Sequence, residues 1–182
     1  MTKTISDQIN LMTTDELRAR LLAYMTNDAT LMPPLVAVEV RLNAQDHARC
    51  RYDVLLIDQQ GGETPVKFHD RYSRLVYVYT LLHPQGYQHR KATADNYRDL
   101  CRLYSQLYFR DSEALLKTVE STDVKKPGHF LYHYIARSRK AIHEASPLAE
   151  KFAIARAQAY NGKVIIPFAA EGGTVIIDAS LR

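Results

Sequence analysis

The chain has 182 residues, with 24 lysines and arginines against 20 aspartates and glutamates for a formal net charge of +4, and 46% of its residues are hydrophobic. That composition excludes wholesale disorder, a coiled-coil rod and a collagen-like repeat, and a chain of this length buries enough surface to hold a core without disulfides or metal. Cys50 and Cys101 form neither a disulfide framework nor a paired-cysteine zinc motif, the start from Met1 to Asp7 has no apolar core, and no apolar run approaches the ~18 residues that span a bilayer. A bacterial-type protein of the reducing cytoplasm, with no membrane partner, is the expectation.

The first predicted element opens at Thr13-Thr14-Asp15-Glu16, where Thr13 can cap a helix and Glu16 can reach back to it. Leu17, Leu21, Tyr24 and Met25 follow at helical spacing. The pattern breaks from Thr26 to Pro34, with turn chemistry at Asn27-Asp28 and Pro33-Pro34 barring further helix. Residues 1–34 therefore read as a helical appendage and its linker, and residues 35–182 as one domain. Val36, Val38, Val40 and Leu42 alternate with Ala37, Glu39 and Arg41, and Tyr52 to Ile57 form a second β-rich run. Together they predict an antiparallel pair. Gln59-Gln60-Gly61-Gly62 marks a turn, and Pro65 to Phe68 reads as a short third strand with the proline at its start.

The period then changes from two to 3.6. Asp70 can cap a helix carrying Tyr72, Leu75, Val76, Tyr79 and Leu82, closed by His83-Pro84 and Gly86. Tyr97, Leu100, Cys101, Tyr104, Leu107 and Tyr108 predict a second helix by their spacing. A shorter helix runs from Ser112 to Glu120, ahead of a turn at Lys125-Lys126-Pro127-Gly128, and a longer one runs from His129 to Ala145. After Pro147 the pattern returns to strands. Asn161-Gly162 is a tight-turn signal, and Val164 to Phe168 with Val175 to Ile177 flank Glu171-Gly172-Gly173, which predicts a C-terminal β-hairpin. Strands, then helices, then a hairpin make the fold class α+β.

Charge is concentrated in one stretch. Residues 123–163 hold eight basic residues against three acidic ones, a net of +5, so the remainder of the chain carries −1. A local basic patch raises the concentration of polyanions nearby. Within the helix from His129, Leu131, Tyr134, Ile135, Ser138 and Ile142 share one stripe, and His133, Arg137, Lys140 and Glu144 share the opposite one. Such an outer face suits a major groove about 12 Å wide, where arginine and lysine pair guanine edges or phosphates. The competing interpretation is an amphipathic helix with ordinary surface cations.

The residues Tyr134 to Ile142, followed by Phe152-Ala153-Ile154, Tyr160-Asn161-Gly162 and Val175-Ile176-Ile177-Asp178, give the region after Leu35 an order of elements that resembles the winged-helix effector domain of response regulators. The resemblance implies a winged-helix-like domain over 35–182, with N-terminal antiparallel strands, a helix-turn-helix core and a C-terminal hairpin wing. The chain departs from that pattern in an insertion from Ser112 to Gly128 and in Glu171 at the expected hairpin tip. Transcriptional regulation through double-stranded DNA is the leading expectation. His133, Arg137 and Lys140 would face the groove, and Arg139, Arg156 and Lys163 would grip backbone phosphates. A homodimer would read two half-sites. The alternative is a winged-helix-like scaffold that serves as a protein-interaction or oligomerisation module without binding DNA.

Other chemistry is weaker. His129 and His133 stand four residues apart, as two metal-binding imidazoles on one helix would, but no third ligand of the right type is near. Cys101 lies on an apolar stripe, as a core thiol would, and Gly61-Gly62 and Gly172-Gly173 lack the Lys-Ser/Thr of a phosphate loop. Of the 12 tyrosines, those at 72, 79, 97, 104 and 108 fall on core-facing stripes, which leaves Tyr87 and Tyr132 for base stacking. No cofactor, metal, small-molecule ligand or enzymatic activity is expected, since nothing pairs a nucleophile or acid with an oriented base.

Overall fold

The computed structural model describes residues 13–26, 32–43, 50–88, 94–123, 128–155 and 160–182. The Asn27-Asp28 turn, Lys125, Lys126 and Arg156 lie outside the described residues, as do the side chains of Leu21, Tyr24 and Met25. Helix α1, Thr14–Thr26, opens with the expected reciprocal cap: Glu16 Oε2 accepts the Thr13 N–H at 2.7 Å and Thr13 Oγ1 accepts the Glu16 N–H at 3.3 Å. Among the described residues no helix is long and apolar enough to cross a membrane.

The fold is α+β, with four strands, β1 Leu35–Leu42, β2 Tyr52–Asp58, β3 Glu63–Pro65 and β4 Thr174–Ile177, in the order β3-β2-β1-β4. β1 and β2 pair antiparallel as their alternation predicts, with Val38 opposite Leu56 and Val40 opposite Val54. β3 lies earlier than the expected Pro65 to Phe68. Asp58 Oδ1 accepts the N–H groups of both Gln60 and Gly62 at 2.8 Å, which closes the turn at once, so pairing resumes at Glu63 and the proline ends the strand. Arg41 pairs with Glu63 at 2.8 Å and with Glu39, and so fastens β3 to β1 across β2.

Four long helices follow: α2 Arg71–Leu82, α3 Ala94–Tyr108, α4 Glu113–Asp123 and α5 His129–Ala145. Asp70 caps α2 as anticipated, its carboxylate accepting the Ser73 N–H at 2.8 Å. Tyr72, Ser73 and residues 75–81 of α2 are all buried, the mark of a central helix. It shares one core with Val38, Val40, Val54 and Leu56 of the sheet, Leu100, Leu103 and Leu107 of α3, and Phe130, Leu131 and Ile142 of α5. The tyrosines expected inside are there: 72, 79, 104 and 108 are buried and Tyr97 packs partly buried against the core. Tyr87, expected to be available for stacking, is buried too, its ring against Tyr79 and its hydroxyl 3.1 Å from Thr80 Oγ1.

The predicted hairpin of Val164–Phe168 with Val175–Ile177 does not form. Pro167 instead opens a short helix, α6 Pro167–Ala170, where a missing N–H costs nothing. Gly172, at φ +84, and Gly173 then end that helix: the Gly172 N–H donates to Ala169 O at 3.2 Å and the Gly173 N–H to Phe168 O at 2.9 Å, the pair of bonds of a Schellman cap. A Cβ on Gly173 would stand 2.6 Å from Phe168 O, so the glycine pair serves a helix end. β4 leaves this cap and pairs parallel with β1, Val38 beside Val175 and Val40 beside Ile177. A different reversal occurs earlier. Asn161 and Gly162 have φ of 53 and 81, and the Lys163 N–H donates to Tyr160 O at 2.9 Å, a type I′ turn of the kind Asn-Gly favours. The Ala155 N–H donates to Ile165 O at 2.8 Å, and Val164 bridges to Tyr87.

Candidate nucleic-acid interface

Helix α5 starts at Gly128, whose left-handed backbone (φ 75) provides no side-chain cap. Asp123, at the end of α4, supplies the missing acceptor: its oxygens take the N–H groups of Gly128 at 3.2 Å and Phe130 at 2.7 Å, and the Tyr97 hydroxyl donates to it at 2.5 Å. A carboxylate there also complements the helix dipole. Phe130, Leu131, Ser138, Ala141 and Ile142 form the buried stripe. Ser138 Oγ lies 2.6 Å from Ser73 O in α2 and 2.7 Å from Tyr134 O in its own helix, so its single proton is shared between the two carbonyls.

The opposite side of α5 faces solvent. His129, Tyr132, His133, Ala136, Arg137, Lys140, His143 and Glu144 are all exposed, so the stripe expected to meet a groove is outward. Its charges are not isolated, however. Arg137 Nη1 lies 3.0 Å from Asp70 Oδ2, with the arginine side chain 50% exposed, and its Cζ is 5.9 Å from the Tyr134 ring centre. Lys140 lies 3.6 Å from Glu144, which is also 2.8 Å from His69 Nε2. The His69 hydrogen bond, with Lys140 as a lesser contributor, holds the Glu144 carboxyl below its ordinary range. His143 approaches Glu150 at 3.4 Å, and the His133 ring meets Tyr134 edge-on at 4.9 Å.

The remaining candidates stand apart. Arg139 is half-buried, with its Nε buried and unpartnered among the described residues, so its stem lies within the flank of α5. Lys163 is exposed just after the Asn161-Gly162 turn, its Nζ 3.4 Å from Gln85 O. Arg137 thus meets the residue that caps α2 and Lys163 a residue just beyond its far end, with a 12-residue helix between them, about 18 Å long at 1.5 Å per residue. The structure brings His133, Arg137 and Lys140 together, sets Arg139 beside them, and leaves Lys163 at the other end of α2. Asp70 and His69 belong to the same surface and escape a reading based on α5 alone. Asp70 was detectable as a cap, but a cap uses one carboxylate oxygen, and which cation takes the other depends on the crossing of two helices.

Among the described residues no three His, Cys, Asp or Glu side chains gather to hold a metal ion. Cys50 and Cys101 are free thiols, and burial pushes the Cys101 thiol up in pKa, away from the reactive thiolate.

The chain matches no protein-family model, no curated protein and no solved structure.

Proposed function

We propose that the chain is a non-enzymatic regulator of winged-helix type that binds double-stranded DNA in the cytoplasm, with α5 as its recognition helix. The observation that carries this reading is the outer face of α5, where His133, Arg137 and Lys140 project from one stripe while the opposite stripe is buried. A single helix enters a major groove about 12 Å wide, where guanidinium and ammonium groups pair guanine edges. The order of elements supports the finer arrangement: α2, the Tyr87 bridge, α3 and α4, then α5 and a connection joined at Ala155 and Ile165. In this reading that connection is the wing. Lys163 follows its turn, Arg156 falls within it by sequence, and both would contact phosphates with Arg139.

The test is a salt titration of binding to mixed-sequence duplex. Contact with four to six phosphates gives a log–log slope of roughly −4 to −5. No measurable duplex binding at low salt contradicts the reading. A second reading, a scaffold for protein interaction or oligomerisation, is favoured by the ion pairs Arg137–Asp70 and Lys140–Glu144, which spend part of the attraction a phosphate would receive; absent duplex binding is the result it expects. A homodimer is proposed from the helical spacing of Leu17, Leu21 and Met25, an apolar stripe that a partner chain could cover. Light scattering that gives a monomer mass both with and without residues 1–30 contradicts the dimer.

A further inference from the structure

Cations converge a second time outside residues 123–163, at the start of α2. Arg71 is the first residue of that helix. Its guanidinium carbon lies 4.8 Å from the Tyr72 ring centre and 5.8 Å from that of Tyr104, and its Nη2 donates to the Tyr72 hydroxyl at 3.0 Å. Its backbone carbonyl accepts the Tyr108 hydroxyl at 2.7 Å, which holds the base of the side chain in place. Arg110 follows α3 and lies close enough to Tyr104 that its charge, with that of Arg71, opposes the upward push of burial on the Tyr104 hydroxyl. That hydroxyl is buried and unpartnered among the described residues. Arg71 and Arg110 are both exposed, and among the described residues neither forms an ion pair with a carboxylate.

The backbone leading to Arg110 is strained. Phe109 sits at φ +50, exposed, with the Arg51 guanidinium carbon 3.5 Å above its ring. A bulky residue in the left-handed region is a true outlier, since glycine ordinarily takes the position after a helix end. Here Phe109 ends α3, with its N–H on Ser105 O at 2.9 Å, and turns the chain toward Arg110. On the other side Asp70 joins Arg71 to Arg137, preceding the first in sequence and pairing with the second at 3.0 Å. Arg137 and Arg71 thus lie by the outer face of α5 and the start of α2, and Arg51 and Arg110 at the end of α3, a strip of arginines whose two halves are joined by the Tyr72–Tyr104 ring pair at 6.1 Å. Of the neighbouring carboxylates, Asp70 is already paired with Arg137, and Asp111 accepts the Glu113 N–H at 2.9 Å to start α4.

We propose that Arg71 and Arg110 hold phosphodiester oxygens of the duplex strand that runs beside α5. The proposal rests on the duplex-binding reading above. A guanidinium presents a planar fork of donors that matches phosphate oxygens, and a row of arginines continuous with α5 suits a polymer of regularly spaced phosphates better than a single anion.

The experiment measures binding of the full chain to mixed-sequence duplex over a range of salt. Arg71→Gln and Arg110→Gln each weaken specific and scrambled duplexes alike, and each makes the log–log slope shallower by about 1. Arg71→Lys restores the slope because it restores the charge. Arg98→Gln, at the opposite end of α3 and paired with Asp95, leaves the slope unchanged. If the wild-type chain binds duplex and both glutamine variants keep its slope, the proposal is overturned while the duplex-binding reading stands. If the wild-type chain does not bind duplex at low salt, both fall, and the strip is left to an acidic protein surface.

Discussion

The two faces of α5 are held by different forces. On the inner face Phe130, Leu131, Ala141 and Ile142 are buried and Ser138 is bonded to the Ser73 carbonyl, so any change there leaves a cavity or an unpartnered polar group. On the outer face Arg137 and Lys140 reach surface carboxylates, and exposed ion pairs contribute only ~0–1 kcal/mol each. Folding and binding are therefore assigned to opposite sides of one helix, and substitutions should separate them.

The sharpest separation comes from Leu131→Ala. The side chain is fully buried, so its truncation should cost about 2–5 kcal/mol of stability in chemical denaturation, with duplex affinity per folded molecule unchanged. Arg137→Ala should show the reverse. If the guanidinium leaves Asp70 for a guanine edge, specific binding falls by about 1–3 kcal/mol and the preference at one base position relaxes. Stability falls by no more than ~1 kcal/mol, the value of the lost half-exposed pair. Unchanged binding with a much lower melting temperature would make Arg137 a structural residue.

Ser138→Ala tests the inner face more gently. Removing the donor to Ser73 O should cost about 1 kcal/mol by denaturation and leave the salt slope of binding as it was. The smallest effect is expected at Glu144, whose carboxyl is held low chiefly by His69. A depressed carboxylate stabilises the fold above its unfolded pKa of about 4.3 and loses that contribution as pH falls through the folded value. The stability difference between wild type and Glu144→Gln should therefore be present at pH 7 and vanish on acidification. A difference that persists well below about pH 4, where the carboxylate is protonated, contradicts the His69–Glu144 account.

Local pattern revealed α5, the Leu131, Ser138 and Ile142 part of its inner stripe, the Asp70 cap and the β1–β2 pair, because each depends on spacing within a short segment; it missed the buried Phe130 and Ala141 and placed the half-buried Tyr134 and Ile135 too deep. It marked Val175–Ile177 as a strand but not its partner, because a parallel neighbour at the opposite end of the chain leaves no local mark on Thr174–Ile177. Gly172-Gly173 suits a hairpin tip and a Schellman cap equally well, and Pro167 decides between them by opening a helix. The phase of Arg137 on α5 gives the direction of its side chain but not the carboxylate that another helix brings to meet it. Arg71 and Arg110 were invisible for the same reason. They are far apart in sequence, and only the packing of Tyr72 against Tyr104 brings the helix start that carries Arg71 to the helix that Arg110 follows.

The central claim is that the outer face of α5 meets the duplex, and amide chemical-shift mapping of the isotope-labelled chain titrated with duplex tests it most directly. The account predicts that the largest shifts fall at His133, Arg137 and Lys140 and around Lys163, while the amides of the sheet's outer edge at Thr174–Ile177 stay in place. Shifts confined to that edge, or none at saturating duplex, would contradict it.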